Sequence, residues 1–230
     1  MLPARTIILQ FGKTLVLQSQ VSGNLGAIKR IRLRHHVNPL SKRYLVPTPA
    51  PNWAEVYEHW GGWVGVYFGC GRGEYLLKMA QQYPERNFLG LEIRQPLVIE
   101  ANGVRERLGL RNLYYLFCNV NVSLAGLFSD RCIHQVSIQF PDPWFKRRQR
   151  KRRMVTPELV HQLSKVLVAE AVVLLQSDVQ WVWEEMQSCF LAHPQFRLLP
   201  EYPPHVPTER ETWAIKQGLT VYRSALTYVL

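Results

Sequence analysis

The segment 140–146 reads Phe-Pro-Asp-Pro-Trp-Phe-Lys and contains an acid, aromatic rings and a cation in close succession. The prolines on both sides of Asp142 restrict the backbone, so the carboxylate is held in place. Trp144 can stack on a nucleobase, and Lys146 begins a cationic run suited to phosphates. This pattern indicates a site that handles a base within a polyanion. A proline-rich turn around a core tryptophan is the alternative.

A glycine-rich loop precedes this segment, with Gly69, Gly71 and Gly73 between a predicted strand and a predicted helix. Glycines there let the chain turn sharply and let a ligand approach the main chain, although such turns also occur without ligands. Glu92 follows nineteen residues after Gly73, at the end of the next predicted strand. A carboxylate there accepts both ribose hydroxyls of a nucleoside cofactor, and a surface carboxylate is disfavoured because an unpaired charge in an apolar strand is costly. The G-x-G-x-G spacing favours S-adenosylmethionine over a dinucleotide.

The charge of the chain is strongly positive and unevenly distributed. Lys and Arg number 28 against 17 acids, which gives a net charge of +11. Residues 1–54 contain eight Lys or Arg and no acid, and segment 146–153 contains seven Lys or Arg in eight residues. Two basic segments on a basic chain favour a nucleic acid partner. For each run alone, a solvated loop or a localisation signal is the alternative.

Length and composition exclude several classes of protein. The chain has 230 residues, 47% hydrophobic and 20% charged, as expected for one globular α/β domain with an ample core. No run of about 18 apolar residues is present, so neither a transmembrane helix nor a membrane partner is expected. The four cysteines form no C-x-x-C pair, which argues against zinc and disulfides and suits a cytoplasmic protein. His35 and His36 are interpreted as phosphate or stacking contacts rather than a metal site.

From residue 64 onward the predicted elements alternate between strand and helix. Strands are predicted at 64–68, 87–93, 113–117, 133–140 and 171–176, and helices at 74–82, 96–108, from 156 onward and at 179–191. This alternation predicts an α/β fold with a mostly parallel, doubly wound sheet and helices on both faces. The chain is divided into a poorly ordered extension at 1–29, a basic arm at 30–55 and the main domain at 56–230.

Several motifs together resemble the tRNA (guanine-N7-)-methyltransferases, in particular the bacterial and cyanobacterial members. They are Leu-Gly-Leu-Glu-Ile around Glu92, the proline-flanked segment with its basic tail, Gln-Ser-Asp at 176–178, and Pro-Thr-Glu-Arg-Glu at 207–211. The arm sequence Arg-His-His-Val-Asn-Pro-Leu at 34–40 is also similar to the start of these enzymes. The resemblance covers residues 30–225. Its proline-flanked motif is specific, whereas the glycine loop is shared by many methyltransferases.

The resemblance implies a Rossmann-like, class I S-adenosylmethionine-dependent methyltransferase domain at 56–230. It implies methylation of N7 of a guanine in the tRNA variable loop, which forms 7-methylguanosine. The implied cofactor-binding residues are Tyr67, Gly69, Gly71, Gly73, Glu92, Asn119 and Asp142. Asp142 is also the implied catalytic residue, and the implied substrate-binding residues are Lys146, Asp178, Thr208, Glu209, Arg210 and Glu211. Tyr67 departs from the family, which has an acid beside the cationic donor at this position, so weaker donor binding is expected.

Two other functions stay open on the residues alone. Asp142-Pro143-Trp144 is loosely similar to the Asp/Asn-Pro-Pro-Tyr loop of methyltransferases that act on exocyclic amines, which would make adenine or cytosine the target. A non-catalytic RNA-binding module with a degenerate donor site is the other alternative, and Tyr67 favours it. Guanine N7 has an exposed lone pair, so methylation there requires neither a general base nor a metal. The expected partner is tRNA, with the protein acting as a monomer or a homodimer.

Overall fold

The computed structural model describes residues 36–128 and 131–230, and the predicted extension at 1–29 lies outside them. The described part of the arm belongs to the same unit as the sheet, Arg34–Leu230. Two 3₁₀ helices, Lys42–Tyr44 and Arg147–Arg152, lie in the arm and in the basic run. The α-helices are α1 (Trp53–Val56), α2 (Glu74–Gln82), α3 (Gln95–Arg107), α4 (Val120–Leu127), α5 (Pro157–Val166), α6 (Gln180–Leu191) and α7 (Glu209–Lys216). None of these helices has the length and apolar character needed to span a membrane.

A seven-stranded sheet forms the centre of the fold. Its strands are β1 (Val64–Phe68), β2 (Asn87–Glu92), β3 (Leu113–Phe117), β4 (Ile133–Gln139), β5 (Leu167–Ser177), β6 (Phe196–Leu198) and β7 (Tyr222–Tyr228). They are arranged in the order β3-β2-β1-β4-β5-β7-β6. The first five strands pair in parallel, whereas β7 runs antiparallel to β5 and β6. The predicted mostly parallel, doubly wound α/β fold is confirmed.

The central strands are buried because helices cover both faces of the sheet. Every residue of β1 and β2 is buried. Alternate residues of β1 face different cores: Val66 and Phe68 pack with α4, α5 and α6, whereas Tyr67 packs with α2 and α3. In the sheet, β2 pairs with one edge of β1, and β4, which comes later in the sequence, pairs with the other edge. Doubly wound sheets bind ligands at the carboxyl ends of the strands where the strand order reverses in this way.

The sequence pattern did not predict five of the α-helices and strands, namely α1, α4, α7, β6 and β7, nor the two 3₁₀ helices. β6 has three residues, and α4 and α7 have eight each, lengths at which hydrophobic periodicity is a weak signal. The prediction that β5 begins at 171 is also wrong, because the strand starts at Leu167, directly where α5 ends. A register shift between Ile133 and Gln135 and a positive φ of 61° at Glu170 mark a bulge there.

Candidate active site

One cleft at the carboxyl edge of the sheet brings together four of the predicted cofactor-binding residues. Gly69, Glu92, Asn119 and Asp142 all line it. Gly69 follows β1, Glu92 ends β2, Asn119 lies between β3 and α4, and Asp142 follows β4. The parallel strands therefore carry residues that are distant in sequence to one edge of the sheet, as doubly wound folds do at their ligand sites.

Glu92 is a buried carboxylate whose oxygens are both hydrogen-bonded. Its side chain is 2% exposed. The Gly71 N–H donates to Oε2 at 2.9 Å, and Arg94 donates to Oε1 from its main-chain N–H at 2.9 Å and from Nε at 2.8 Å. The hydrogen bond to Glu92 raises the pKa of Arg94. This pairing offsets the cost of burying the charge and excludes the alternative of a surface carboxylate.

The three glycines of the loop have positive φ angles, but they have different environments. The φ angles are 76° at Gly69, 60° at Gly71 and 78° at Gly73, in the region that favours glycine. A Cβ on Gly73 would lie 2.4 Å from Cε1 of Tyr115, whose hydroxyl donates to the Gly73 carbonyl at 2.7 Å. Gly69 thus lines the cleft, and Gly71 donates a hydrogen bond to Glu92, which also lines the cleft. Glycine is required at position 73 because a side chain there would collide with Tyr115.

Tyr67 lies behind the wall of the cleft. Its ring is buried on the α2 side of the sheet, with its centroid 5.4 Å from that of Tyr75, and burial raises its pKa. Its hydroxyl donates to Oε1 of Gln139 at 3.4 Å, and Gln139 lines the cleft. Tyr67 itself does not line the cleft, and its connection to the cleft is the hydrogen bond to Gln139.

Asn119 fixes the basic arm against the cleft. Its Oδ1 caps α4 by accepting the N–H of Asn121 at 3.3 Å. Its Nδ2 donates to the carbonyls of Pro39 at 3.1 Å and Tyr44 at 3.2 Å. Arm residues, Leu40 among them, consequently form part of the cleft wall. Sequence reasoning missed this role of the arm, because the contacts use main-chain carbonyls that leave no signal in the residue types.

Asp142 lies at the mouth of the cleft and contacts the arm. Nδ1 of His36 is 2.7 Å from Oδ1 of Asp142, and the His36 ring meets Trp144 edge-on at a centroid distance of 6.2 Å. The loop is strained, since Phe140 and Trp144 have φ angles of 51° and 47°. The structure thus places His36 against both the acid and the aromatic ring. The sequence had suggested only a phosphate or stacking contact for this histidine.

Five of the predicted substrate-binding residues form a second cluster, around α7 and the end of β5, and do not line the cleft. Oγ1 of Thr208 caps α7 by accepting a main-chain N–H of its first turn at 3.1 Å. Arg210 forms an ion pair with Asp178, which follows β5. Glu209 pairs with Lys78 of α2 at 3.1 Å. Because β4 and β5 are neighbours, this cluster lies at the same edge of the sheet as the cleft.

Glu211 is the buried acid of the second cluster. Nη2 of Arg223 donates to its Oε1 at 2.6 Å, and Nε2 of His205 lies 2.9 Å from the same oxygen. Burial raises the pKa of the Glu211 carboxyl, but the hydrogen bonds from Arg223 and His205 outweigh it and hold the pKa below its ordinary value. Glu211 is therefore ionised at neutral pH and ties α7 to β7.

Comparisons with known proteins identify the family. Residues 64–224 match the family model described as "Putative methyltransferase". The tRNA (guanine-N(7)-)-methyltransferase of Thermosynechococcus vestitus is 51% identical over 198 residues, which cover 84% of this chain and 93% of the relative. That of Synechococcus sp. strain JA-3-3Ab is 50% identical over 197 residues, 84% of each protein. This chain belongs to the tRNA (guanine-N7-)-methyltransferase family.

The fold of this tRNA (guanine-N7-)-methyltransferase family member also matches a solved structure. The crystal structure of the 16S rRNA methyltransferase KamB superposes with a TM-score of 0.55 and 15% sequence identity. The match covers 80% of this chain and 96% of KamB. At this identity the likeness shows the fold alone, which is the Rossmann-like architecture of methyltransferases.

The basic run of this family member divides into two groups with different surroundings. Nε of Arg150 is 3.2 Å from Oε1 of Glu185, and Arg153 pairs with the other oxygen of the same carboxylate. The Arg152 guanidinium lies over the Trp144 ring at 5.0 Å. Arg150 and Arg153 therefore hold the run to α6. The exposed cations of the run that form no ion pair with any described residue are Lys146, Arg147, Arg148 and Lys151, and Lys151 lines the cleft.

The possible metal ligands of the described residues are their His, Cys, Asp and Glu side chains, which include all four cysteines of the chain. In the stretches 36–128 and 131–230, no group of three His, Cys, Asp or Glu side chains could hold a metal ion. None of the four cysteines is part of a disulfide in the part of the chain that the structure describes. Burial raises the pKa of Cys118 to about 12, so this thiol stays protonated at neutral pH.

Proposed function

We propose that this protein transfers a methyl group from S-adenosylmethionine to N7 of a guanine in the variable loop of tRNA. The observation that carries the proposal is one cleft lined by both Glu92, which ends β2, and the proline-flanked Asp142, which follows β4. Relatives that are half identical over most of the chain are named tRNA (guanine-N(7)-)-methyltransferase. tRNA is the proposed partner, because its phosphates complement a net charge of +11.

The polar groups of the cleft fit S-adenosylmethionine. Nε2 of Gln139 and Oδ1 of Asn121 are buried, belong to residues that line the cleft, and have no hydrogen-bond partner among the described residues. A buried donor and a buried acceptor without partners are costly, and a ligand with both kinds of group removes that cost. Glu92 is the proposed acceptor for the ribose hydroxyls. The Arg94 guanidinium now occupies its oxygens and has to release them when a ribose binds.

The reaction requires alignment and charge stabilisation rather than proton transfer. S-adenosylmethionine supplies an electrophilic methyl group when bound. With the donor bound, the exposed lone pair of guanine N7 would form the bond to the methyl carbon as the carbon–sulfur bond breaks, so the sulfur would leave as a neutral thioether and the positive charge would pass to the product ring. Asp142 stabilises this developing charge without accepting a proton, and the strained loop keeps the carboxylate in place for it. His36 contacts Oδ1 of Asp142 and orients the carboxylate.

Substrate binding is proposed for two groups of residues near the cleft. Lys146 is exposed at the start of the basic run and is suited to a phosphate. Asp178 and the segment 208–211 are proposed to contact the target guanine and its neighbours. Support for this assignment comes from the family motif and from the position of these residues at the same sheet edge as the cleft.

The test is the transfer of labelled methyl groups to a tRNA transcript with a guanine in its variable loop. We expect the label to enter one position, and treatment with borohydride and aniline to cut the strand there, because N7-methylated guanine is labile to these reagents. A transcript with 7-deazaguanine at that position is the matched control, since it lacks the nucleophilic nitrogen. It should bind the protein and accept no methyl group.

Two outcomes would contradict the proposal. Label recovered in methylated adenine or cytosine, without strand scission, would identify a methyltransferase that acts on exocyclic amines. tRNA binding without any incorporation of label, together with no heat of S-adenosylmethionine binding in calorimetry, would identify a non-catalytic RNA-binding module.

A further inference from the structure

Phe145 is an aromatic side chain exposed to solvent at the start of the basic run. Its exposed fraction is 70%. It directly follows Trp144, whose backbone is held in the left-handed region with a φ of 47°. Both features cost free energy, because an apolar ring is more stable when buried and a residue with a Cβ is strained at positive φ. Backbone strain of this kind concentrates at functional sites, so the exposed ring next to it is a candidate for ligand binding.

One side of the Phe145 ring packs against Trp181. The Phe145 ring meets the Trp181 ring of α6 edge-on, with centroids 5.9 Å apart and planes at 66°. Trp181 packs against the main hydrophobic core, and the Arg153 guanidinium lies over its ring at 4.4 Å. Arg153 is in turn fixed by its ion pair with Glu185. Phe145 therefore rests on a supported tryptophan and presents its remaining surface to solvent.

The charges next to Phe145 indicate the chemistry of its ligand. Lys146, Arg147 and Arg148 follow it directly, are exposed, and form no ion pair with any described residue. An exposed aromatic ring beside unpaired cations is the arrangement that binds single-stranded nucleic acid, in which the base stacks on the ring and the cations bind the phosphates.

We infer that Phe145, supported by Trp181, is a stacking site for the base of an unpaired nucleotide next to the target guanine. This inference rests on the proposed function, because it takes tRNA as the substrate. Trp144, the residue before Phe145, lines the cleft, so a base on Phe145 belongs to a close neighbour of the nucleotide in the cleft. Stacking there anchors the loop while the guanine is held for reaction.

The experiment measures tRNA affinity of Phe145→Ala, Phe145→Leu and Phe145→Trp by fluorescence anisotropy in the presence of S-adenosylhomocysteine. Loss of one base–aromatic stack is expected to weaken binding about 5- to 100-fold in the Ala and Leu variants, whereas the Trp variant keeps wild-type affinity. Leu198→Ala removes an exposed apolar side chain from β6 at the far edge of the sheet and is the matched control. It should bind tRNA like the wild type.

Abasic tRNAs identify the stacked nucleotide. Removing the base on the 5′ or the 3′ side of the target guanine should, at one of the two positions, weaken wild-type binding and abolish the further effect of Phe145→Ala. Unchanged affinity of Phe145→Ala, full affinity of Phe145→Leu, or an effect that persists on both abasic tRNAs would overturn the inference. So would a change of oligomeric state without a change in tRNA affinity, which would make the ring a protein interface.

These binding measurements do not depend on methyl transfer. If wild-type protein binds tRNA but forms no 7-methylguanosine, the proposed function fails while the stacking site is still tested. If 7-methylguanosine forms and Phe145→Ala binds tRNA normally, the stacking site fails while the proposed function stands.

Discussion

Asp142 combines a fixed position with partial exposure, since 40% of its side chain remains accessible beside His36. We expect Asp142→Asn to keep the shape of the loop and to lower the rate of methyl transfer roughly 10²-fold or more, the scale of losing one preorganised electrostatic contact. Single-turnover rates with saturating donor and tRNA measure this effect. S-adenosylmethionine affinity, measured by calorimetry, should change much less. A full transfer rate in the Asn variant would remove Asp142 from the reaction.

Tyr67 is expected to act on donor binding through Gln139. Tyr67→Phe removes the hydroxyl that donates to Gln139 Oε1 and leaves this amide less fixed at the cleft wall. Because one neutral hydrogen bond contributes about 0.5–1.5 kcal/mol, S-adenosylmethionine affinity should fall about two- to tenfold. Tyr67→Asp would instead bury a carboxylate among apolar rings and should lower the free energy of unfolding by about 2 kcal/mol or more. Tighter donor binding in a stable Asp variant would contradict this assignment.

At the scale of elements, α7 depends on the ionised carboxylate of Glu211. The folded state holds its pKa below the ordinary value of 4.5, so its stabilising contribution is complete above that pH and is lost as pH falls through the lower folded value. Glu211→Gln should lower the free energy of unfolding by about 1–3 kcal/mol at pH 7, because it leaves Arg223 without its carboxylate. Urea unfolding at pH 7 and pH 4 measures both effects.

The difference between wild type and Glu211→Gln should shrink at pH 4, since below its ordinary pKa of 4.5 this carboxyl takes up a proton in the unfolded chain, which favours unfolding of the wild type. Glu201→Gln changes an exposed acid near α7 and is the control, with unchanged stability expected at both pH values. An equal loss of stability at pH 7 and well below pH 4 would show that the charge of Glu211 does not contribute.

The basic run provides a comparison of two arginine pairs in one element. Arg147→Ala with Arg148→Ala removes exposed, unpaired cations, so tRNA binding should weaken and its salt slope should flatten by about one unit for each lost phosphate contact. Arg150→Ala with Arg153→Ala breaks both ion pairs to Glu185 and should instead lower the free energy of unfolding by about 1–2 kcal/mol. Salt titrations of tRNA affinity and urea unfolding separate the pairs. The same salt slope of tRNA affinity in both double variants would refute the division of the run into tRNA-binding and structural arginines.

The sheet and its cleft could be predicted from sequence because short strand patterns alternate with helical patterns, and β1 and β2 each lead directly to a candidate binding residue. Val64–Phe68 leads to Gly69, and Asn87–Glu92 ends in an acid. The short elements could not be predicted. In α7, a single buried alanine and the ion-paired Glu211 take the place of an apolar face, so tertiary contacts rather than periodicity determine the helix.

The candidate site was predicted less completely than the fold. Asp142 and Glu92 carry recognisable motifs, and the structure places both in the cleft. The contribution of the arm had no such signal, because Asn119 binds carbonyl groups that every residue possesses. His36 was noticed for its charge and ring, but its contact with Asp142 joins residues 106 positions apart, a distance over which sequence spacing carries no information.

At the scale of the whole molecule, the arm and the sheet share one binding cleft. Besides the bonds from Asn119, the Thr48 hydroxyl donates to the Phe117 carbonyl at 3.0 Å. We expect Asn119→Ala to release the arm, which should accelerate amide hydrogen exchange across 39–48 and weaken S-adenosylmethionine binding. Hydrogen-exchange mass spectrometry and calorimetry measure the two effects. Thr212→Val removes a hydroxyl bond on α7 and is the control, with no change expected in the arm. Unchanged exchange across 39–48 would contradict this account of the arm.

The position of β7 in the sheet determines when the sheet can be completed during synthesis of the chain. β7 follows every other described strand in the sequence, yet it lies between β5 and β6 in the sheet. On the ribosome, both neighbours therefore emerge from the exit tunnel before the strand that joins them, and the outer edge of β5 stays open until residues 222–228 have been made. An open edge invites pairing with other nascent chains. Arg223, the partner of Glu211, arrives with the same strand, so a stalled chain would contain every residue of the cleft before α7 was anchored.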